Sequence, residues 1–336
     1  MNEATVRGLP RAKRGGAKGE GRLSGKRPSP LALRLVAVFL VGCAAPQSPP
    51  ASDVEAISFL GDSLRRPVLD SARQAGFEAQ LDSARAAWAA DSSPDALIWI
   101  GRRQGYLGRY REAIATFSDG IARFPDDPRF LRHRGHRWIT VRELDSAIAD
   151  LSRAATMIAG RPIEVEPDGL PNARNIPTST LQSNIWYHLG LAHYLRGDFA
   201  AALAAYRAEA AIADNPDMLV ATSWWRYLTL RRLGDAAAAD SVLAPITADM
   251  DVIENQSYHR LLLVAKGALP ADSLAPAGAT GDAPSDAAVA YGLGAWHLIE
   301  GRPELADSLF GILVSRGNWA AFGTIAAEAE RARRAR

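Results

Sequence analysis

Residues 183–216 read SNIWYHLGLAHYLRGDFAAALAAYRAEAAIADNP, and this stretch decides the fold. Apolar side chains recur three and four apart on both sides of the break at Gly197-Asp198, which predicts two amphipathic helices joined by a tight turn. Gly197 suits that turn, because a left-handed backbone costs glycine little. Small residues at Gly190 and Ala202 let the two helices approach closely, while Trp186, Leu189, Phe199 and Tyr206 supply bulk around them.

The same spelling recurs upstream. Leu97-x-x-Ile100-Gly101 is followed by Gly108-Arg109-Tyr110-x-x-Ala113, then by Phe117 and Pro125. Gly101 and Gly135 lie 34 residues apart, as do Ala113 and Ala147. These strings resemble the tetratricopeptide repeat, with its W-x₂-L-G-x₂-Y…A-x₃-F…P pattern and a period of about 34 residues. The resemblance implies an all-α fold: a solenoid of helical hairpins wound as a right-handed superhelix, with about five to six repeats between capping helices. Each hairpin leaves one face apolar, so stacking neighbours builds the core.

The period divides the chain. Copies are expected over 94–161 (two repeats) and 183–251 (two more, the last turning at Gly234-Asp235). Residues 252–286 hold a degenerate repeat, with a first helix over Ile253–Lys266 and a Pro/Ala/Gly loop after it. A last repeat and a solvating, basic C-terminal helix follow over 287–336. Residues 54–93 read as amphipathic capping helices, and no run shows the period-two alternation of a half-buried sheet. Between the second and third copies, residues 162–182 form a Pro-rich insertion that displaces the period by 21 residues. Insertions in solenoids fall on one face, often the binding face, and Glu164 or Glu166 could pair there with an arginine near Arg132 and His136.

The amino end carries an address. Residues 1–42 read as a signal peptide: a long basic region, the apolar run Leu35–Val41, then Leu40-Val41-Gly42-Cys43. The apolar run is far shorter than the roughly 20 residues that span a bilayer. The tetrapeptide resembles the lipobox of bacterial lipoproteins, which implies that Cys43 takes a diacylglyceryl group and becomes the new N-terminus. Ala44, where an aspartate would signal inner-membrane retention, points to the outer membrane. Residues 1–22 read as a start-site artefact, and 43–53, rich in Pro, Ser and Ala, as a flexible tether.

Composition narrows the function. With 48% hydrophobic and 23% charged residues the chain has ample material for a core. Removing the 9 basic and 2 acidic residues of positions 1–34 from totals of 39 and 37 leaves 30 Lys/Arg against 35 Asp/Glu. A mildly acidic body argues against nucleic acid as a partner. The single cysteine forbids an internal disulfide, a thiolate cluster or a CxxC pair. No nucleophile elbow, zincin motif, phosphate loop or dinucleotide fingerprint occurs, so neither catalytic residues nor a cofactor are expected. His133, His136 and His188 could approach a metal, but flanking arginines would repel it, and no metal is expected.

The resemblance places ligands in the concave groove lined by the first helix of each hairpin. Projecting the helical period gives Arg102, Tyr106, Arg132 and His136 at a basic front, with Asn184, Tyr187, Tyr194, Trp224 and Tyr291 beyond in an aromatic middle. Guanidinium groups fork onto carboxylate or phosphate, and aromatic faces add flat apolar contact. The expected function is an envelope lipoprotein that scaffolds another protein or peptide. The alternative is capture of a carbohydrate or small anion in the groove.

Overall fold

The computed structural model describes residues 53–274, 284–316 and 318–335. The signal peptide, Cys43 and most of the tether lie outside the described residues. So does most of the loop expected after the degenerate repeat.

Helical hairpins make up the body. Four pairs follow one another: α2 (Pro94–Tyr106) with α3 (Tyr110–Arg123), α4 (Pro128–Thr140) with α5 (Leu144–Met157), α6 (Leu181–Arg196) with α7 (Phe199–Ala210), and α8 (Pro216–Arg232) with α9 (Ala236–Leu243). The single helix α10 (Gln256–Ala265) stands for the degenerate repeat, and α11 (Pro284–Ile299) with α12 (Pro303–Arg316) closes the series. Helices α2, α4 and α8 each begin on a proline behind a capping side chain, Ser93, Asp127 or Asn215. Proline at the first helical position loses no hydrogen bond, and the caps occupy otherwise unpaired N–H groups.

The glycines of the first helices act as predicted. A Cβ on Gly101, Gly135, Gly190 or Gly294 would strike Phe117, Leu151, Tyr206 or Phe310 on the second helix of the same hairpin. Those large residues therefore fill the seam within a hairpin, and Phe117 reaches the next one as well, stacking on His133 at 5.4 Å. Ala113, Ala147, Ala202, Ala239 and Ala306 are fully enclosed. First helices touch in series (α2 with α4, α4 with α6, α6 with α8, α8 with α11), which defines the inner face of the stack.

Two segments depart from expectation, and a third follows it at Glu166 but reaches further along the stack. The helical cap expected from residue 54 begins only at α1 (Ser71–Ala90). Ahead of it, β1 (Val54–Ile57) pairs antiparallel with β2 (Ser63–Arg65), with an irregularity between Val54 and Ala56. Strands this short, with a broken alternation, leave no readable period. Their anchor is the buried Glu55, which accepts from Arg66 Nη2 at 2.8 Å and from the Arg111 backbone N–H at 2.9 Å.

The second departure is the C-terminal helix α13 (Phe322–Arg334), expected to be solvating. Gly323 through Glu330 are all buried. The helix packs on α11 and α12 and reaches across the inner face to α6. Small residues permit this, since a Cβ on Gly323 would collide with the Ala287 carbonyl. Its acids meet arginines of the inner face: Arg142 Nε donates to Glu328 at 3.1 Å, and Arg232 Nη1 donates to Glu330 at 3.1 Å. Trp319 Nε1 donates to the Arg65 carbonyl at 2.8 Å, so the end of the chain also touches β2.

The third is the insertion, which forms a strap. It is pinned by one bridge between Val165 and Thr180 and stretched between distant repeats. At one end Arg102 Nη1 donates to the Pro167 carbonyl at 2.7 Å. At the other, Asn172 Nδ2 and Thr178 Oγ1 each donate to Glu254 at 2.7 Å.

A basic cluster under the strap as candidate functional site

The first four predicted groove residues come together. Arg102 and Tyr106 project from α2, Arg132 and His136 from α4, and the strap lies over them. Arg102 also caps the Trp99 ring at 4.3 Å, and Tyr106 packs on Phe77 at 5.7 Å. They line a cavity of about 120 Å³ together with Phe117, His133, Arg137 and Glu166.

Arg132 is almost wholly enclosed, and its Nε lies 2.8 Å from Glu166 Oε2. The contact is an ion pair between two enclosed groups. Burial lowers the Arg132 pKa, and the Glu166 carboxylate offsets this only in part. Arg137 stands next to it on α4. Its Nη2 is 3.1 Å from both ring nitrogens of His136, a position over the ring face and not along a lone pair. Its other flank faces Tyr110, with the guanidinium carbon 5.7 Å from the ring centroid. Arg137 keeps some solvent contact, yet desolvation brings its pKa down to about 10, and no carboxylate is among the main groups acting on it.

The histidines answer to these arginines. Arg132 Nη1 lies 3.2 Å from His133 Nδ1 and 3.4 Å from His136 Nδ1. A guanidinium only donates, so both Nδ1 atoms accept and both rings are neutral. His188 instead places Nδ1 against the Asn184 carbonyl, which requires a proton on that nitrogen. Burial first, then Arg132 for His133 and His188 and Arg137 for His136, holds all three pKa values well below the ordinary imidazole range. Phe322 of α13 closes the inner side, 5.1 Å from the His136 ring and 5.5 Å from His188. Among the described residues, no group of three His, Cys, Asp or Glu is placed to hold a metal.

The aromatic middle of the groove is core. Tyr194 and Tyr291 are buried and share a hydroxyl hydrogen bond at 3.1 Å. Tyr187 accepts from Trp225 Nε1 at 2.9 Å and bonds the Tyr258 hydroxyl at 3.0 Å. Trp225, not Trp224, is the hub, in ring contact with Tyr194, Tyr206, Tyr258 and Tyr291. Trp224 is turned away and stacks on Tyr227 at 5.9 Å. Asn184 lies in a separate polar pocket of about 190 Å³ with Glu209 and Glu254. Glu209 is buried with Oε2 unpartnered, and burial pushes its pKa to about 8. Over α6 and α11 the inner face expected to receive a ligand is covered by α13, whereas the basic front lies under the strap.

Sequence reading passed over Arg137, Trp99, Glu209 and Trp225. A signal existed for the first: Arg103 and Arg137 are 34 residues apart, the same offset that relates Arg102 to His136.

No protein-family model matches the chain, and no curated protein does. Among solved structures it is similar to a tetratricopeptide repeat protein from Parabacteroides merdae, at 13% identity and a TM-score of 0.43, over 78% of this chain and 95% of that one. The architecture itself is read from the chain's own helices: an all-α stack of antiparallel hairpins closed across its inner face by the last helix.

Proposed function

We propose that the chain is a protein-interaction scaffold of the bacterial cell envelope, moored to a membrane, the outer one, by acyl chains on Cys43. The hairpin stack supports a binding role, and the Leu40–Cys43 pattern after a short apolar run supports the anchor. The observation that carries the reading is the strap. Its Ile163, Val165, Leu170 and Ile176 are exposed by 51%, 56%, 62% and 43%, although hydrogen bonds and ion pairs hold the segment in place. Four large apolar side chains left in solvent on one short, fixed segment are what a protein partner would cover. A pocket of about 310 Å³ opens beside Val165, with Trp99 and Arg102 on its wall, the residue types that most often anchor protein interfaces.

The test is co-purification from detergent-solubilised membranes. The intact chain is expected to bring down a stoichiometric partner that the I163D/L170D double variant loses, with helical circular dichroism unchanged. Retention of the same partner by the double variant would overturn the proposal. The anchor is checked separately: Cys43→Ala should abolish palmitate incorporation and release the chain from membranes.

A further inference from the structure

Three guanidinium groups, from Arg102, Arg132 and Arg137, share the wall of one cavity of about 120 Å³ with a single carboxylate, Glu166. Of the three, Arg132 is in ion-pair contact with that carboxylate, at 2.8 Å. Arg102 spends one donor on the Pro167 carbonyl and rests on Trp99. Arg137 is wedged between the faces of His136 and Tyr110. Asp168, further along the strap, feels Arg102 but is acted on more strongly by burial and by Glu254. The histidines add no negative charge and, being neutral, present no counter-charge to the arginines. Arg132 is enclosed and Arg102 and Arg137 are half-buried, so one carboxylate faces three partly desolvated cations, an arrangement that favours an added anion.

We propose that this cavity is a binding site for a small oxyanion, a carboxylate or phosphate group, held by Arg132 and Arg137 with Arg102 at its mouth. Glu166 is the strap's own carboxylate, standing against Arg132 where the incoming anion competes with it. The site is distinct from the exposed apolar residues of the strap, so it stands or falls apart from the scaffold reading. Its position has a consequence for access: the cavity and the larger pocket beside Trp99 share Arg102, His133 and Glu166, so the anion enters by way of the strap.

Calorimetric titration and thermal unfolding of the full chain in detergent test this, with sodium phosphate and sodium acetate as probes and sodium chloride at matched ionic strength as control. Saturable binding of phosphate or acetate is expected, with a rise in Tm that chloride does not give, and comparison of the two assigns the preferred head group. Glu166→Gln removes the competing charge and should tighten binding by at least about tenfold. Arg137→Met should abolish saturable binding while leaving the anion-free Tm level or higher, since an apolar replacement relieves an enclosed, unmatched charge. Two outcomes would overturn the proposal. One is the absence of saturable binding in both the natural chain and the Glu166→Gln variant. The other is an Arg137→Met variant that binds as before and has a lower anion-free Tm, which would make Arg137 a packing residue only.

Discussion

Arg142 shows how one side chain can override a backbone preference. The turn between paired helices is made by a glycine with positive φ in four hairpins, at Gly108, Gly197, Gly234 and Gly301, but in the second hairpin Arg142 stands there with φ 68°. Its position is 34 residues after Gly108. A left-handed backbone costs an ordinary residue about 1–2 kcal/mol. The offset is visible: both nitrogens of its guanidinium fork reach Glu328, and Nη2 donates to the Trp319 carbonyl at 2.7 Å. Glu328→Gln should therefore destabilise the fold by roughly 3 kcal/mol in chemical denaturation, because a buried guanidinium loses its counter-charge. The R142G/E328Q double variant should cost less than the sum of the two single changes. Glu209 makes a prediction of opposite character. Its folded pKa of about 8 lies above the unfolded value, so the native state binds the extra proton. Stability from this group is present below about pH 4.3 and is lost as pH rises toward 8, by an amount on the order of a few kcal/mol. Glu209→Gln should flatten the fall of a Tm-against-pH curve between about pH 4.3 and 8. His133 and His188 act on the other side: held neutral in the fold, they cost stability as pH falls below about 6.5, where the unfolded chain takes up protons. At this scale the sequence was legible to within one position. Trp224 and Trp225 differ by about 100° of helical rotation, enough to exchange hub for periphery, and a period projected from a glycine cannot resolve that.

Among elements, α13 is the one whose identity was clear and whose role was not. Its sequence, FGTIAAEAERARR, announces a helix but not the surface it meets, because alanine and glycine serve an exposed helix and a closely packed one equally. The deciding feature is tertiary: Gly323 sits against the Ala287 backbone, which cannot yield as a side chain could. Gly323→Ala should detach α13, read as faster hydrogen exchange at α13 amides and as a drop in Tm. Gly311→Ala in α12, where a Cβ meets nothing within 4 Å, should leave the fold intact and add about 0.5–1 kcal/mol. The strap presents the reverse case. The insertion announced itself as a break in the period, and Glu166 does stand against Arg132, but its span to Glu254 depends on contacts between residues more than 70 apart. The β hairpin was hidden because a buried glutamate, Glu55, holds it, and buried acids leave no hydrophobic period.

For the molecule as a whole, the 34-residue period was enough to give the order and number of paired helices, because each hairpin is specified by its own small and large residues. What the period could not supply is closure. A simple solenoid gains stability between neighbours only, so its ends behave independently. Here Arg142 and Glu328 join residues 186 apart, and the Phe59 N–H reaches Glu328 across 269. The full chain should accordingly unfold in one calorimetric transition, and a chain ending at Asn318 in more than one, with lower Tm for the hairpins α4–α5 and α6–α7. A single transition in both would remove α13 as the clasp.

Because the clasp lies downstream of every hairpin it packs against, synthesis imposes an order on assembly. Hairpins can stack as they emerge, but their shared interior stays wet until α13 arrives and shuts it. A chain interrupted before Phe322 would thus be folded yet unlatched, with the rings of His136 and His188 bared on the inner side.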